Sequence, residues 1–158
     1  YCMAALFAVA GCSTINIGQL DDSVSGKVSS VSVLETTGRA AQIYSRALRQ
    51  ALYVHGQSIP TYELTSSISA SSSSTLSVRG VGSTFKELTM VASFKLTKQS
   101  SGDVLLQDKV SADATFGTVS SLFGQDQSEL HARDRMARLI AQRVAQRVQL
   151  YFLENADN

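Results

Sequence analysis

Glu87-Leu88-Thr89-Met90-Val91-Ala92-Ser93-Phe94-Lys95-Leu96-Thr97 alternates with a period of two. Leu88, Met90, Ala92, Phe94 and Leu96 fall on one side, and Glu87, Thr89, Ser93, Lys95 and Thr97 on the other. Successive side chains of a strand point to opposite faces, so this pattern predicts a strand with one face in a core and one in water. Working outward, Gln99-Ser100-Ser101-Gly102-Asp103 is a hairpin loop. The next strand spans Val104 to Phe116, with Val110, Ala112, Ala114 and Phe116 inward. On the other side, Tyr62, Leu64, Ser66, Ile68 and Ala70 alternate in the same way. That strand runs into the serine tract Ser71–Ser74, and Leu76 and Val78 resume the pattern. Serine on both faces commits a strand weakly to burial. The tract is therefore either a loop or a sheet edge in a polar place. Gly80 and Gly82 loosen the following turn.

Helical spacing flanks these strands. Ala40, Ile43, Tyr44, Ala47, Leu48, Ala51 and Leu52 form one stripe. Thr36 or Thr37 would cap its start, and Gly56 and Pro60 close its end. Near the C-terminus, Asp126 and Glu129 are spaced as a capping box. The stripe Ala132, Met136, Leu139, Ile140, Val144, Val148, Tyr151 and Phe152 then runs to about Phe152. Residues 117–124 read as a flexible link. A first strand is expected over Lys27–Leu34. The fold class that follows is α+β: two helices packed on one face of a four-stranded, mostly antiparallel sheet, in the order β-α-β-β-β-α and in two layers. The first strand reaches the next through a helix, so one pair is expected to be parallel.

Length and composition suit one globular domain: 158 residues, 44% apolar and 17% charged. A net charge of +1 aims no strong field at nucleic acid. Both cysteines lie at the start, so no disulfide can staple the rest. Residues 1–11 (YCMAALFAVAG) are apolar and end in Val9-Ala10-Gly11-Cys12-Ser13. They are too few to cross a bilayer, which takes about 20 residues. They read as the remnant of a secretory signal peptide. Small residues ahead of Cys12 resemble a bacterial lipobox, in which the thiol takes a diacylglycerol and becomes the new N-terminus, and acyl chains such as palmitate anchor the protein. The expected division is a signal remnant at 1–11, a lipidated N-terminus and tether at 12–26, one α+β domain at 27–154 and a tail at 155–158.

Reactive constellations are scarce. Gly80-Val81-Gly82 lacks the lysine and the strand-to-helix setting of a phosphate loop. His55 and His131 sit at helix ends, and His131 reads as a solvated residue. Asp108 and Asp113 have opposite parity on one strand and face different sides. Neither a metal site nor any other cofactor is expected, and the chain reads as a non-enzyme. Arg79, Lys86, Lys95, Lys98 and Lys109 form a basic set near strand ends that could meet an anionic headgroup by charge-assisted hydrogen bonds.

Tyr62-Glu63-Leu64, Lys86–Leu96, Ser101–Leu105 and Ala132–Val144, together with the lipobox and the element order, resemble the LptE lipopolysaccharide-assembly lipoproteins. They resemble especially the alphaproteobacterial branch of that family. His131 stands where that branch often has an acidic residue, and the long serine tract is atypical. The resemblance implies a lipoprotein of the outer membrane, lipid-anchored on its periplasmic side. Ser13, rather than an aspartate, after the cysteine agrees with export there. It also implies a plug seated in the LptD β-barrel that binds lipopolysaccharide, with Arg79, Lys86, Lys95 and Lys98 as contacts for its phosphates. An auxiliary lipoprotein of a lipid-transporting ABC system is the alternative, and a periplasmic hydrolase a second one.

Overall fold

The computed structural model describes residues 22–35, 37–53, 56, 58–77, 84–117 and 121–156. The lipobox with Cys12, the first part of the tether, Thr36, His55, Val78, Arg79, Gly80 and Gly82 lie outside them. The chain runs α1 (Asp22–Ser29), β1 (Val31–Val33), α2 (Arg39–Leu52), β2 (Tyr62–Ser77), β3 (Thr84–Lys98), β4 (Val104–Gly117) and α3 (Leu122–Glu154). The strands stand in the order β1-β2-β3-β4. β2, β3 and β4 form an antiparallel meander, and β1 pairs parallel to β2 through Val31↔Tyr62 and Val33↔Leu64. This is the expected α+β layout with one parallel pair, preceded by a short extra helix.

The alternation in β3 does what its pattern requires. Leu88, Met90, Ala92, Phe94 and Leu96 are all buried, and Val110, Ala112 and Phe116 of β4 join them. The hairpin between β3 and β4 closes with Gly102 at φ 75°, where its N–H bonds the Lys98 carbonyl at 2.8 Å. A glycine takes this left-handed conformation without a Cβ clash.

α3 has 33 residues and so runs about 50 Å along the sheet. Lys86 meets Glu129 near one end of it, Arg147 meets Asp108 further along, and the Tyr62 and Phe152 rings lie 5.0 Å apart at the other end. α2 lies beside α3 and runs the same way. Arg39 bonds Asp134 at 3.2 Å, and Gln149 donates to the Ala51 carbonyl at 3.4 Å. Ala137, Ala141 and Ala145 are buried at an i, i+4 spacing on α3. Small side chains there let two helix axes approach closely. The apolar stripe of α3 is thus wider than the one read from the sequence, because two partners cover it. Leu139, counted in that stripe, is 38% exposed instead.

Several boundaries differ from the sequence reading. α1 occupies residues assigned to the tether and to the start of the first strand, and it buries Val24 and Val28 in the core. The first strand shrinks to Val31–Val33. α2 starts from Gly38 at φ 105° with no side-chain cap, so Thr37 does not serve as one. Gly56, also at positive φ, closes a turn just past the helix by donating to the Tyr53 carbonyl. α3 begins at Leu122, where Ser121 accepts a bond from the Gly124 amide. The expected capping box at Asp126 lies inside the helix, and Glu129 bonds Arg133 at 2.7 Å instead. Ser71–Ser74 is strand, paired with β3 up to a register shift between Ser74 and Leu76, so the loop reading falls and the edge reading stands.

A length mismatch explains the serines. α2 has 14 residues, about 21 Å, whereas β2 has 16 residues, about 53 Å. Along the helix-facing row of β2, Leu64 and Ser66 are buried, Ile68 and Ala70 are half-buried, and Ser72 and Ser74 are exposed. β2 outruns the helix that covers it, and serine takes over where both faces are wet.

Candidate functional site

No described element covers the outer face of the sheet, and its residues are mostly polar, with Val91 half-buried and Phe85 exposed at one end of β3. Thr65, Ser67, Ser69, Ser71 and Ser73 line β2, opposite Thr89, Ser93, Lys95 and Thr97 of β3. On β4, Gln107, Lys109, Ser111, Asp113 and Thr115 follow. Thr89 donates to Asp113 at 2.7 Å across this face, while Asp108 points to the other side and meets Arg147 at 3.6 Å. The two aspartates therefore part as their parity required. Val91 is the one aliphatic residue in the outward row of β3 from Glu87 to Thr97. A sheet face of this kind adds no apolar core. It offers hydroxyls, amides and a few charges to whatever lies against it.

The four expected phosphate contacts do not converge. Arg79 is outside the described residues. Lys86 and Lys98 stand twelve positions apart on one strand, about 40 Å, in the inward row. Lys86 is held 4.0 Å from Glu129, and Lys98 is exposed at the opposite end of the sheet. Lys95 alone projects from the outer face. Register brings Lys109 to it: Lys95 pairs with Gln107 and Ser93 with Lys109, so the two lysines are diagonal neighbours. They line a shallow depression of about 470 Å³ together with Thr65, Ser67, Ser93 and Gln107. Two ammonium groups among hydroxyls can grip an anionic oxygen cluster. Spacing along one strand could not show this pair, because it is made by cross-strand register.

No described group of three His, Cys, Asp or Glu residues could hold a metal ion. Ser128, His131 and Asp134 line one shallow surface depression of α3, but no hydrogen bond joins them among the described residues. Asp134 accepts from Arg39 rather than orienting His131. His131 is exposed, as expected of a solvated helix residue. The helix is not apolar enough to cross a membrane, nor is any other described one. The most confined polar pair is Tyr44 and Ser66, in the core between α2 and β2. Both hydroxyls are buried, and neither reaches a partner with full hydrogen-bond geometry. Burial pushes the Tyr44 phenol above its ordinary 10, and the neighbouring Ser66 hydroxyl offsets part of that.

The LptE model, described as lipopolysaccharide-assembly, matches residues 25–148. The chain belongs to the LptE family. Among solved structures, a Caulobacter crescentus CB15 lipoprotein superposes with a TM-score of 0.67 at 16% identity, covering 84% of this chain and 97% of that one. Rare lipoprotein B of Shewanella oneidensis gives 0.62 at 14% identity, with 80% and 96% covered. A minor lipoprotein of Acinetobacter baumannii gives 0.60 at 12%, with 76% and 88% covered. At these identities the structures share the fold. No curated protein matches the chain in sequence. As an LptE-family chain, it is a lipopolysaccharide-assembly lipoprotein of the cell envelope.

Proposed function

We propose that this LptE-family lipoprotein works without catalysis, by docking. It is anchored through a lipid on Cys12 at the periplasmic side of the outer membrane, and seats in the lumen of the LptD barrel as a plug. There it assists lipopolysaccharide assembly. The observation that carries this reading is the outer sheet face. A rigid two-layer body with a flat wall of serine and threonine fits a water-filled lumen lined by polar side chains. A body meant to meet lipid or a hydrophobic partner would carry an apolar patch there.

Lipopolysaccharide phosphates meet Lys95 and Lys109, with Lys86 and Lys98 too distant to share one phosphate group with them. Hydrogen bonds to charged groups contribute about 1.5–3 kcal/mol each, so Lys95→Ala with Lys109→Ala should weaken lipopolysaccharide binding by at least about tenfold. Unchanged binding would remove the pair from the site. The deciding experiment is affinity purification of the chain from detergent-solubilised outer membrane. The expected result is a barrel subunit at a one-to-one ratio. Recovery of an inner-membrane ABC complex would overturn the reading. Cys12→Ala should leave the protein out of the outer-membrane fraction, and normal fractionation of that variant would remove the lipid anchor from the scheme.

A further inference from the structure

The sheet has two long edges, and they are built differently. The β4 edge is guarded. Arg143 of α3 reaches over to donate to the Ser111 carbonyl, Arg147 pairs with Asp108, and Lys109 and Asp113 add charges along the strand. Charges and covering side chains are how natural sheets keep foreign strands off. Among the described residues, no covering side chain guards the β2 edge beyond Leu64, and β1 is the strand that pairs with it, at Tyr62–Leu64. No charged residue occurs between Glu63 and Arg79, and no proline.

The direction of the free groups can be read from β1. The Tyr62 N–H donates to the Ser30 carbonyl, and the Leu64 carbonyl accepts from Leu34. Even-numbered residues of β2 therefore point their main-chain groups toward that side, since the direction alternates along a strand. Past β1, Ser66, Ile68, Ala70, Ser72 and Ser74 present N–H and C=O to an edge where no described residue bonds them. Water can satisfy these exposed groups, and a row of them is also a template on which another strand can pair.

We infer that the β2 edge from Ser66 to Ser74 takes an added strand from the outer-membrane partner. The inference rests on the docking reading above and names how that partner is held. The occupant is an extended, uncharged segment. Its side chains alternate, small and apolar where they flank half-buried Ile68 and Ala70, and hydroxyl-bearing where they flank Ser67, Ser69 and Ser71. Main-chain pairing supplies the affinity, and the lack of charge sets the choice of segment.

The test uses the full chain and the barrel subunit that co-purifies with it. Ala70→Pro with Ser72→Pro removes two edge donors and leaves the bonds to β3, because those are made by odd-numbered residues. Loss of two hydrogen bonds should cut barrel recovery by about tenfold or more. Ala70→Lys with Ser72→Lys places charges on the edge without touching the backbone, and should do the same if the proline variant does not fold. Ser72→Thr should recover the barrel as the parent does. A folded variant of either kind with parental recovery would overturn the strand-addition inference while leaving the docking reading in place. So would a photo-crosslinker at Ser72 that reports only a second copy of this chain. Absence of any barrel with the parent chain would instead sink the docking reading itself.

Discussion

Removing the Tyr44 hydroxyl should not weaken this protein, although Tyr44 is the most enclosed aromatic among the described residues. Its ring is fully buried among Leu48, Leu64 and the rest of the core, and its oxygen and that of Ser66 are sealed from water without a well-formed bond. Leaving a buried polar group unsatisfied costs about 1–3 kcal/mol. Both hydroxyls already bear that cost, so deleting one does not orphan the other. Tyr44→Phe and Ser66→Ala should each be neutral or stabilising by up to about 1 kcal/mol, and the double variant should be additive within about 0.5 kcal/mol. Urea unfolding followed by far-UV circular dichroism reads this directly, and the absence of tryptophan makes that the natural probe. The pH dependence gives a second reading. An unfolded tyrosine ionises near 10, and burial holds folded Tyr44 above that. Above pH 10 the unfolded chain releases a proton that the native state keeps. The stabilising contribution is thus whole below 10 and is lost as pH rises through the raised folded value. Tyr44→Phe should flatten that decline. Both single variants losing more than about 1 kcal/mol, with a coupling of similar size, would mean that the hydroxyls bond each other firmly, and the reasoning would fail.

Three further outcomes follow from the packing. Ala141→Leu should cost about 1–3 kcal/mol, because the added carbons have no room in the seam where α2 meets α3; urea midpoints measure it. Leu88→Ala should cost about 2–5 kcal/mol, whereas Leu139→Ala should stay within about 0.5 kcal/mol, although the sequence places both in apolar stripes. Gly102→Ala should lower the thermal midpoint through a strain of about 1 kcal/mol, since φ there is 75° and no neighbour would obstruct the added carbon.

The strands were legible because burial repeats every second residue in them. Leu88 to Leu96 and Val110 to Phe116 needed only their own alternation to be assigned to the core. The helices were harder for a physical reason. α3 is covered on one flank by the sheet and on another by α2, so Ala137, Ala141 and Ala145 are as buried as Met136 and Ile140. Alanine carries little hydropathy signal, and a single-stripe reading substitutes Leu139 for them. α1 was hidden for a related reason, because Val24 and Val28 are its only large apolar anchors and serine and glycine surround them. Helix starts differ where the chain uses Gly38 and Ser121 in place of Thr37 and of the acidic signal at Asp126. The candidate anion site was half legible. Lysines could be counted, but which of them meet depends on the β3–β4 register, and that pairs Lys95 with Lys109 rather than with Lys86 or Lys98.

The serine tract joins these points into one account of why the molecule is shaped as it is. A two-layer domain made only for stability would match its strands to its helices, since strand surface beyond the helix layer gains no burial. Here β2 and β3 continue well past the start of α2, and serine fills the β2 overhang from Ser71 to Ser74. Those residues contribute little to the core, yet they keep their pairing with β3 as far as Ser74. If the overhang were dispensable, trimming Ser71–Ser74 and its partners from β3 would leave both the fold and the docking intact. A paired, uncharged overhang left unguarded on one side among the described residues is what a strand-accepting edge requires, and the β4 edge of the same sheet carries the charges that close an edge.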